Sequence, residues 1–265
     1  MTHKNNQTGF AVVEILIVLV VVALIGGVGY FVFSRNSADE SNKSSTSQDT
    51  DTQQASSDAV IKSIGINLDE YDPATGMAGD LKFTKATFAS GMQMLFSEYG
   101  YEVAANSVGA AKKNPQPTFI APLGTKVMSL VDGTVVNIPK LYSNDYSIHV
   151  QAKGSDLIFE TEHVINVQVK KGDKVKAGQQ IAEVSDYDAR NYDGLGLFEI
   201  GVLRGGNPPS HVCLFDYLDE SIKTKTQKSI LSLQKSWEEY RGDSTIYDES
   251  KAVTPGCLMS DPIEG

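Results

Sequence analysis

Side chains that bind metals or act as nucleophiles are scarce in this 265-residue chain, which has four histidines and two cysteines. Zinc requires about three protein ligands of imidazole, thiolate or carboxylate type, and a catalytic site keeps a further position for water. Suitable side chains occur at His149, Glu160, Glu162, His163 and Glu199. We interpret His149, His163 and Glu199 as the lining of a ligand groove.

Strand alternation divides this set of candidate ligands. Successive side chains of a strand point to opposite faces, so Glu160 and Glu162 should share one face while His163 takes the other. We therefore expect no metal and no other cofactor, and a metal site rebuilt from these residues is the alternative.

Other catalytic patterns are missing from the sequence. It contains neither a Gly-x-Ser-x-Gly nucleophile motif nor a glycine-rich phosphate loop, and Gly201 to Gly206 is predicted to be a hairpin turn. His211 and Cys213 would share one side of a strand, but a thiol in an exported protein would be oxidised.

Composition limits the classes of partner. The net charge is −10, from 23 basic and 33 acidic residues, which argues against nucleic acid because that partner needs clustered Lys and Arg. The 41% of apolar residues is enough for a full-sized core in one or two domains.

The N-terminus contains a candidate membrane anchor. Ile15 to Phe33 is a run of 19 residues without charge or proline, which as a helix is about 28 Å long and matches a bilayer core. Lys4 precedes the run, so we expect a single-pass protein of the cell membrane with a cytoplasmic N-terminus and an extracytoplasmic C-terminal part. An ordinary signal anchor or a cleaved signal peptide is the alternative.

Glu14 interrupts the start of this apolar segment, where a carboxylate costs about 2.5 to 3.5 kcal/mol if it is carried to mid-bilayer. The stretch from Gly9 to Val18 resembles the type IV prepilin signature. The resemblance implies a leader over 1–9 that is cut after Gly9, a transmembrane helix over 10–33 that begins at Phe10, and a role for Glu14 in assembly. It also implies a prepilin peptidase and pilus or secretion-system proteins as partners.

Two segments follow the anchor. Residues 34–58 are predicted to be a disordered linker, since Ala38 and Ala55 are the only apolar residues from 36 to 58. Residues 59–113 are predicted to be a small α+β extension. Its expected elements are a strand with alternating apolar residues, a strand at 81–83, and a helix with one apolar face; the strand residues are Ile64, Ile66 and Leu68, and the helix residues are Phe88, Met92, Leu95, Phe96 and Tyr99.

Short runs rich in Val, Ile, Phe and Thr alternate with glycine-bearing turns from residue 119 to residue 217, which predicts an antiparallel barrel or sandwich. The predicted strands are 126–130, 133–138, 146–152, 157–163, 166–169, 180–184 and 195–203. Residues 169–179 read as two short strands around Gly172 and Asp173, with Val175 turned inward.

This hairpin resembles those of biotinyl and lipoyl carriers and of lysostaphin-type zinc endopeptidases. The carriers need a lysine where this chain has Ser185 to Asp188, so a carrier is disfavoured. The lysostaphin-type resemblance covers more of the chain. Four short sequence motifs follow one another in the same order as in that family: 121–127, 131–135, His163 and 197–200. It implies a LytM-like domain over 114–218. The β barrel of such a domain is known as a duplicated hybrid motif.

The resemblance also implies where zinc ligands should be. The family's histidine and aspartate fall on Asn114 and Thr118, and its His-x-His strand falls on Leu195 and Leu197. Only His163 remains, matching the histidine that assists the metal-bound water. The resemblance is therefore to a degenerate, catalytically inactive member.

Residues 219–265 are predicted to contain a helix that begins near Asp219, a plausible N-cap. Its apolar stripe is formed by Ile222, Ile230, Leu233, Trp237 and Tyr240. Outside the cell, Cys213 and Cys257 would form a disulfide, and two free buried thiols are the alternative.

The predicted fold is mainly β (α+β), with a transmembrane helix, a disordered linker and flanking helices around the β domain. The predicted function is non-catalytic binding of cell-wall peptidoglycan or a partner protein by a membrane-anchored, pilin-like component. The alternatives are a zinc-dependent cell-wall endopeptidase with substituted ligands and a structural minor pilin.

Overall fold

The computed structural model describes residues 60–86, 88, 93–104, 110–187 and 194–264. The chain divides into two compact units, Met1–Gln54 and Ala55–Gly265, and all described residues belong to the second. The predicted leader, transmembrane helix and linker lie outside the described residues, as do Gly9, Phe10 and Glu14. In the ranges given above, no helix has both the length and the apolar character needed to cross a membrane.

The described residues form sixteen strands and one α-helix, together with short 3₁₀ helices at Leu214–Tyr217 and Glu249–Lys251. The strands are β1 Tyr71–Asp72, β2 Met77–Ala78, β3 Leu81–Lys82, β4 Phe96–Ser97, β5 Glu102–Val103, β6 Lys112–Lys113, β7 Thr118–Pro122, β8 Lys126–Met128, β9 Gly133–Asn137, β10 Tyr146–Ala152, β11 Ile158–Ile165, β12 Lys174–Val175, β13 Gln180–Val184, β14 Leu195–Arg204, β15 Ser210–His211 and β16 Ile263–Glu264. The helix, α1, is Glu220–Arg241.

One large antiparallel sheet organises the domain, which confirms the mainly β fold class. Its order is β12-β9-β10-β11-β14-β15-β16; β7 adds to β14 and β4 adds to β7, while β13 pairs with both β11 and β8. The longest strand, β14, pairs with β11 on one edge and with β7 and then β15 on the other. Because it is paired on both edges, its side chains are fixed relative to three neighbouring strands.

Six of the seven predicted strands of the β domain are confirmed within a few residues. The exception is 166–169, where the left-handed backbone of Asn166 (φ 49°) ends β11. The predicted turn at 201–206 begins later than expected, because pairing of Leu203 with both Ile158 and His211 keeps the chain extended to Arg204. Val175 is buried as predicted, but β12 pairs with β9 instead of forming a hairpin with 169–171.

The extension differs from its sequence-based prediction. Phe96 lies in β4 opposite Phe119 of β7, so the predicted helix is wrong at this point. Four of its five apolar residues, Phe88, Leu95, Phe96 and Tyr99, are nevertheless buried, and Met92 lies outside the described residues. The Phe96 and Phe119 ring centroids are 4.8 Å apart. Ile64, Ile66 and Leu68 are also buried, but they do not form the predicted strand, because Gly65 adopts a left-handed φ of 85°. The strand predicted at 81–83 is confirmed as β3.

Helix α1 forms as predicted. The Asp219 carboxylate accepts the Ser221 backbone N–H at 2.9 Å at the N-terminus, and Gly242 ends the helix in a left-handed conformation. Ile230, Leu233 and Trp237 are buried, and the Trp237 indole N–H donates to the Gln93 carbonyl at 2.7 Å. The apolar face of α1 is therefore part of the core.

The predicted disulfide between Cys213 and Cys257 is present, with the two Cα atoms 6.0 Å apart and a sequence separation of 44. It ties the C-terminal segment to the sheet, where β16 pairs with β15.

We expect the double substitution Cys213→Ala/Cys257→Ala to lower the free energy of unfolding by about 4 kcal/mol, because the unfolded chain loses a cross-link that closes a long loop. Urea denaturation with and without a reductant measures this. The reductant should destabilise the wild type and leave the double variant unchanged; equal effects on both proteins would contradict the prediction.

Glu98 is a buried acid that joins the extension to α1. Its side chain is only 3% exposed and accepts the Gln234 side-chain N–H at 2.6 Å. Burial raises the pKa of the Glu98 carboxyl to about 7, against the lowering effect of hydrogen bonds from its backbone and Gln234. The folded state therefore holds a proton that the unfolded state releases near its usual pKa of 4.5.

Stability should therefore fall as pH rises from about 4.5 to about 7, by on the order of 3 kcal/mol. We expect Glu98→Gln to remove most of this slope, because the neutral amide needs no proton. Thermal unfolding across this pH range provides the measurement. Glu102 is exposed and nearby, so the control variant Glu102→Gln should keep the dependence of stability on pH. An unchanged slope in Glu98→Gln would show that another group carries it.

Candidate functional site

The first two positions at which the resemblance places zinc ligands hold neutral polar side chains that bond to each other. Asn114 and Thr118 are both buried, and the Asn114 amide donates to the Thr118 hydroxyl at 3.3 Å. The same amide lies 3.3 Å from Ser97 Oγ and from the Glu98 carbonyl oxygen, while Thr118 Oγ1 lies 3.3 Å from Glu199 Oε1. These contacts form a hydrogen-bond network where the family has an imidazole and a carboxylate.

The other two positions are aliphatic. On β14, Leu195 lies opposite Pro122 and Leu197 lies opposite Ile120 of β7. Both leucines are more than nine-tenths buried, and they share the strand face of Glu199. Since neither leucine offers a lone pair, the residues at the four family positions do not fit a zinc ion.

Glu160 of β11 is the centre of a polar network beside these positions. His211 Nε2 lies 2.6 Å from Glu160 Oε1, and the Gln116 amide donates to the same oxygen at 2.9 Å. His149, directly opposite on β10, places Nε2 3.5 Å from Glu160 Oε2. The network thus joins β10, β11, β15 and the segment before β7.

Gly201 makes this convergence possible. It lies opposite Glu160 in the β11–β14 pairing, and a Cβ at this position would be 2.5 Å from Glu160 Oε1 and 3.1 Å from Gln116 Cγ. Any larger residue would displace the carboxylate from its donors.

Two further carboxyls lie near Glu160. Glu162 lies opposite Glu199 in the β11–β14 pairing, two residues from Glu160 and on the same face. Burial raises the pKa of Glu199; His163 lowers it and Glu162 raises it further. Three carboxyls therefore lie on neighbouring positions of β11 and β14, with His149 opposite Glu160 on β10; a ligand groove lined by His149, His163 and Glu199 stays a prediction.

His163 lies at an irregularity where the β10–β11 register shifts, and its φ is 56°. Such a bulge breaks strict alternation, so alternation alone does not assign the face of His163. His163 Nδ1 lies 2.9 Å from Asp145 Oδ2, and its ring stacks on Tyr187 with centroids 4.0 Å apart. The Asp145 carboxylate fixes the orientation of the imidazole.

Sequence reasoning missed several members of this site. Asp145, Tyr187 and Gln116 have no local motif, and their roles arise from contacts between strands far apart in the chain. The sequence spacing of His211 and Cys213 suggests a pair, but Cys213 is in the disulfide and His211 contacts Glu160.

The family comparison agrees with this architecture. Residues 117–201 match the model of Peptidase family M23. The chain contains an M23 domain. This match confirms the lysostaphin-type resemblance over residues 117–201. A search of curated proteins found no match.

Part of this chain is similar to several solved structures. One is the catalytic domain of the prophage-encoded M23 protein EnpA from Enterococcus faecalis, at 22% identity over 44% of this chain and 84% of that one, with a TM-score of 0.34. Lysostaphin from Staphylococcus simulans matches at 21% identity over 42% of this chain and 43% of that one, with a TM-score of 0.35. A chain of the SpoIIQ–SpoIIIAH pore-forming complex matches at 16% identity over 56% of this chain and 98% of that one, with a TM-score of 0.37.

We expect Gly201→Ala to destabilise the M23 domain by about 1 to 3 kcal/mol, because the new methyl group forces Glu160 away from His211 and Gln116. Urea denaturation measures the change. Gly205→Ala is the matched control, since a Cβ there meets no atom within 4 Å. Equal stability of the two variants would show that the Glu160 network tolerates the methyl group.

Proposed function

We propose that the M23 domain is catalytically inactive and binds the peptide part of cell-wall peptidoglycan in its groove. The observation that carries this proposal is the replacement of the zinc ligands by a packed set: Asn114 and Thr118 bond to each other, and Leu195 and Leu197 are buried beside them. The groove keeps its position on the sheet and loses the metal chemistry of the family.

The charge of the groove supports a peptide ligand. Glu162 and Glu199 lie on its β11 and β14 side, where carboxylates attract ammonium groups and accept N–H groups. Wall peptides present both kinds of donor. The partly exposed His149 and the His163–Asp145 pair add hydrogen-bonding groups on the β10 side.

The proposed location is the outer face of the cell membrane, in a pilus-associated or wall-associated assembly. The disulfide supports an oxidising compartment. The apolar run from Ile15 to Phe33 supports a membrane anchor, and the stretch around Gly9, Phe10 and Glu14 supports processing by a prepilin peptidase. A structural minor pilin would share this processing but would not need the groove.

We expect the full-length chain in detergent to sediment with purified sacculi, and Glu162→Arg to weaken this binding at least tenfold by placing a cation in the groove. Protein in the pellet is quantified against sacculus concentration. The control is Glu239→Arg, which makes the same change of charge on the exposed side of α1 and should bind like the wild type. Equal loss in both variants would show that net charge, and not the groove, governs binding.

The pilin part of the proposal has its own test. Mass spectrometry of the protein from membranes should show a chain that begins at a methylated Phe10, and Gly9→Val should leave the leader uncut. A mature chain that keeps residues 1–9 would contradict this part without affecting the groove.

A further inference from the structure

We propose that His149, Glu160 and Glu162 form a divalent-cation site in the groove, displaced from the positions at which the family resemblance places zinc. The site uses an imidazole from β10 and two carboxylates from β11. None of these residues occupies a position at which the resemblance places a zinc ligand. Those positions hold Asn114, Thr118 and the two leucines of β14, Leu195 and Leu197.

The spacing of the three side chains suits a metal ion. Their potential ligand atoms all lie within 4.8 Å of one another, and His149 Nε2 is 3.5 Å from Glu160 Oε2. A tetrahedral zinc ion with bonds of about 2.0 to 2.2 Å separates its ligand atoms by roughly 3.3 to 3.6 Å. The His149–Glu160 edge already has this length, and rotation of the Glu162 side chain completes the set.

The orientation of Glu160 is fixed by residues outside the triad. His211 and Gln116 both approach Oε1, which leaves Oε2 directed to the His149 side. Donors that hold the second oxygen of a ligating carboxylate are typical of metal sites, because they fix its rotamer before the ion arrives. Gly201 provides the space in which this arrangement fits.

The charge balance also favours a cation. Glu160, Glu162 and Glu199 lie on neighbouring positions of β11 and β14, and among the described residues no lysine or arginine forms an ion pair with any of them. A divalent ion would relieve the repulsion among these like charges.

The ligand set indicates which ions to expect. One imidazole and two carboxylates suit zinc or manganese, whereas calcium prefers six to eight oxygen ligands. His149 and Glu162 are partly exposed, so the remaining coordination positions open to the groove. There the ion would accept a carbonyl or carboxylate oxygen of a bound peptide, which links the site to the proposed function without requiring hydrolysis.

The test is calorimetric titration of ZnCl₂ and, separately, MnCl₂ into the full-length chain in detergent after removal of metals by a chelator. We expect one equivalent of at least one of these ions to bind. Glu162→Gln and His149→Ala should each weaken binding at least tenfold, and the matched control Glu239→Gln should stay within twofold. Circular dichroism of each variant confirms that it is folded.

Cobalt(II) absorption spectra add a readout that does not depend on affinity alone. Cobalt bound to the wild type should give visible bands that change in His149→Ala, because a nitrogen ligand is lost. The inference would be overturned if neither zinc nor manganese binds stoichiometrically. It would also be overturned if Glu162→Gln and His149→Ala both bind the ion as tightly as the wild type does. Sacculus sedimentation repeated in chelator separates the two proposals: binding that persists without any metal leaves the proposed function standing and removes only the cation site.

Discussion

Pairing of β14 on both edges is the constraint on which the rest of the domain depends. One edge carries β11 and the other carries β7 and β15, so side chains from three strands and from the segment before β7 meet over a single strand. Along one face of β14 the residues are, in order, Leu195, Leu197, Glu199 and Gly201. This face of β14 therefore changes from aliphatic to acidic, and finally to the glycine that leaves room for the Glu160 network.

The aliphatic end of this face contains two of the positions at which the resemblance places zinc ligands. A structural zinc ion often stabilises its own site, but here the corresponding space is filled by buried leucines and an Asn114–Thr118 hydrogen bond. Burial of two leucine side chains contributes about 3 to 6 kcal/mol relative to exposure, a stabilisation that needs no metal. The polar side chains Glu160 and Glu162 lie on β11, the strand next to β14.

Local sequence patterns were enough to predict much of this architecture. Runs of β-branched residues between glycine turns predicted six strands of the β domain, and the Asp219 cap with its apolar stripe predicted α1. Motif order predicted the four replaced ligand positions, and that assignment stays a prediction. The helix predicted around Phe96 failed because tertiary pairing with Phe119 outweighed a helical spacing. The His211–Glu160 contact joins residues 51 apart, and no local signal encodes it. The left-handed backbone at His163 likewise cannot be inferred from alternation, because a bulge is what breaks that rule.

The central claim, that this M23 domain recognises wall peptide without cleaving it, is tested most directly by counting new amino groups. The full-length chain is incubated with purified peptidoglycan in the presence of zinc, and free amines are labelled and quantified over time. The account predicts amine formation equal to that of peptidoglycan alone. Time-dependent release that Glu162→Gln abolishes would contradict it, since the groove would then act as a peptidase with substituted ligands.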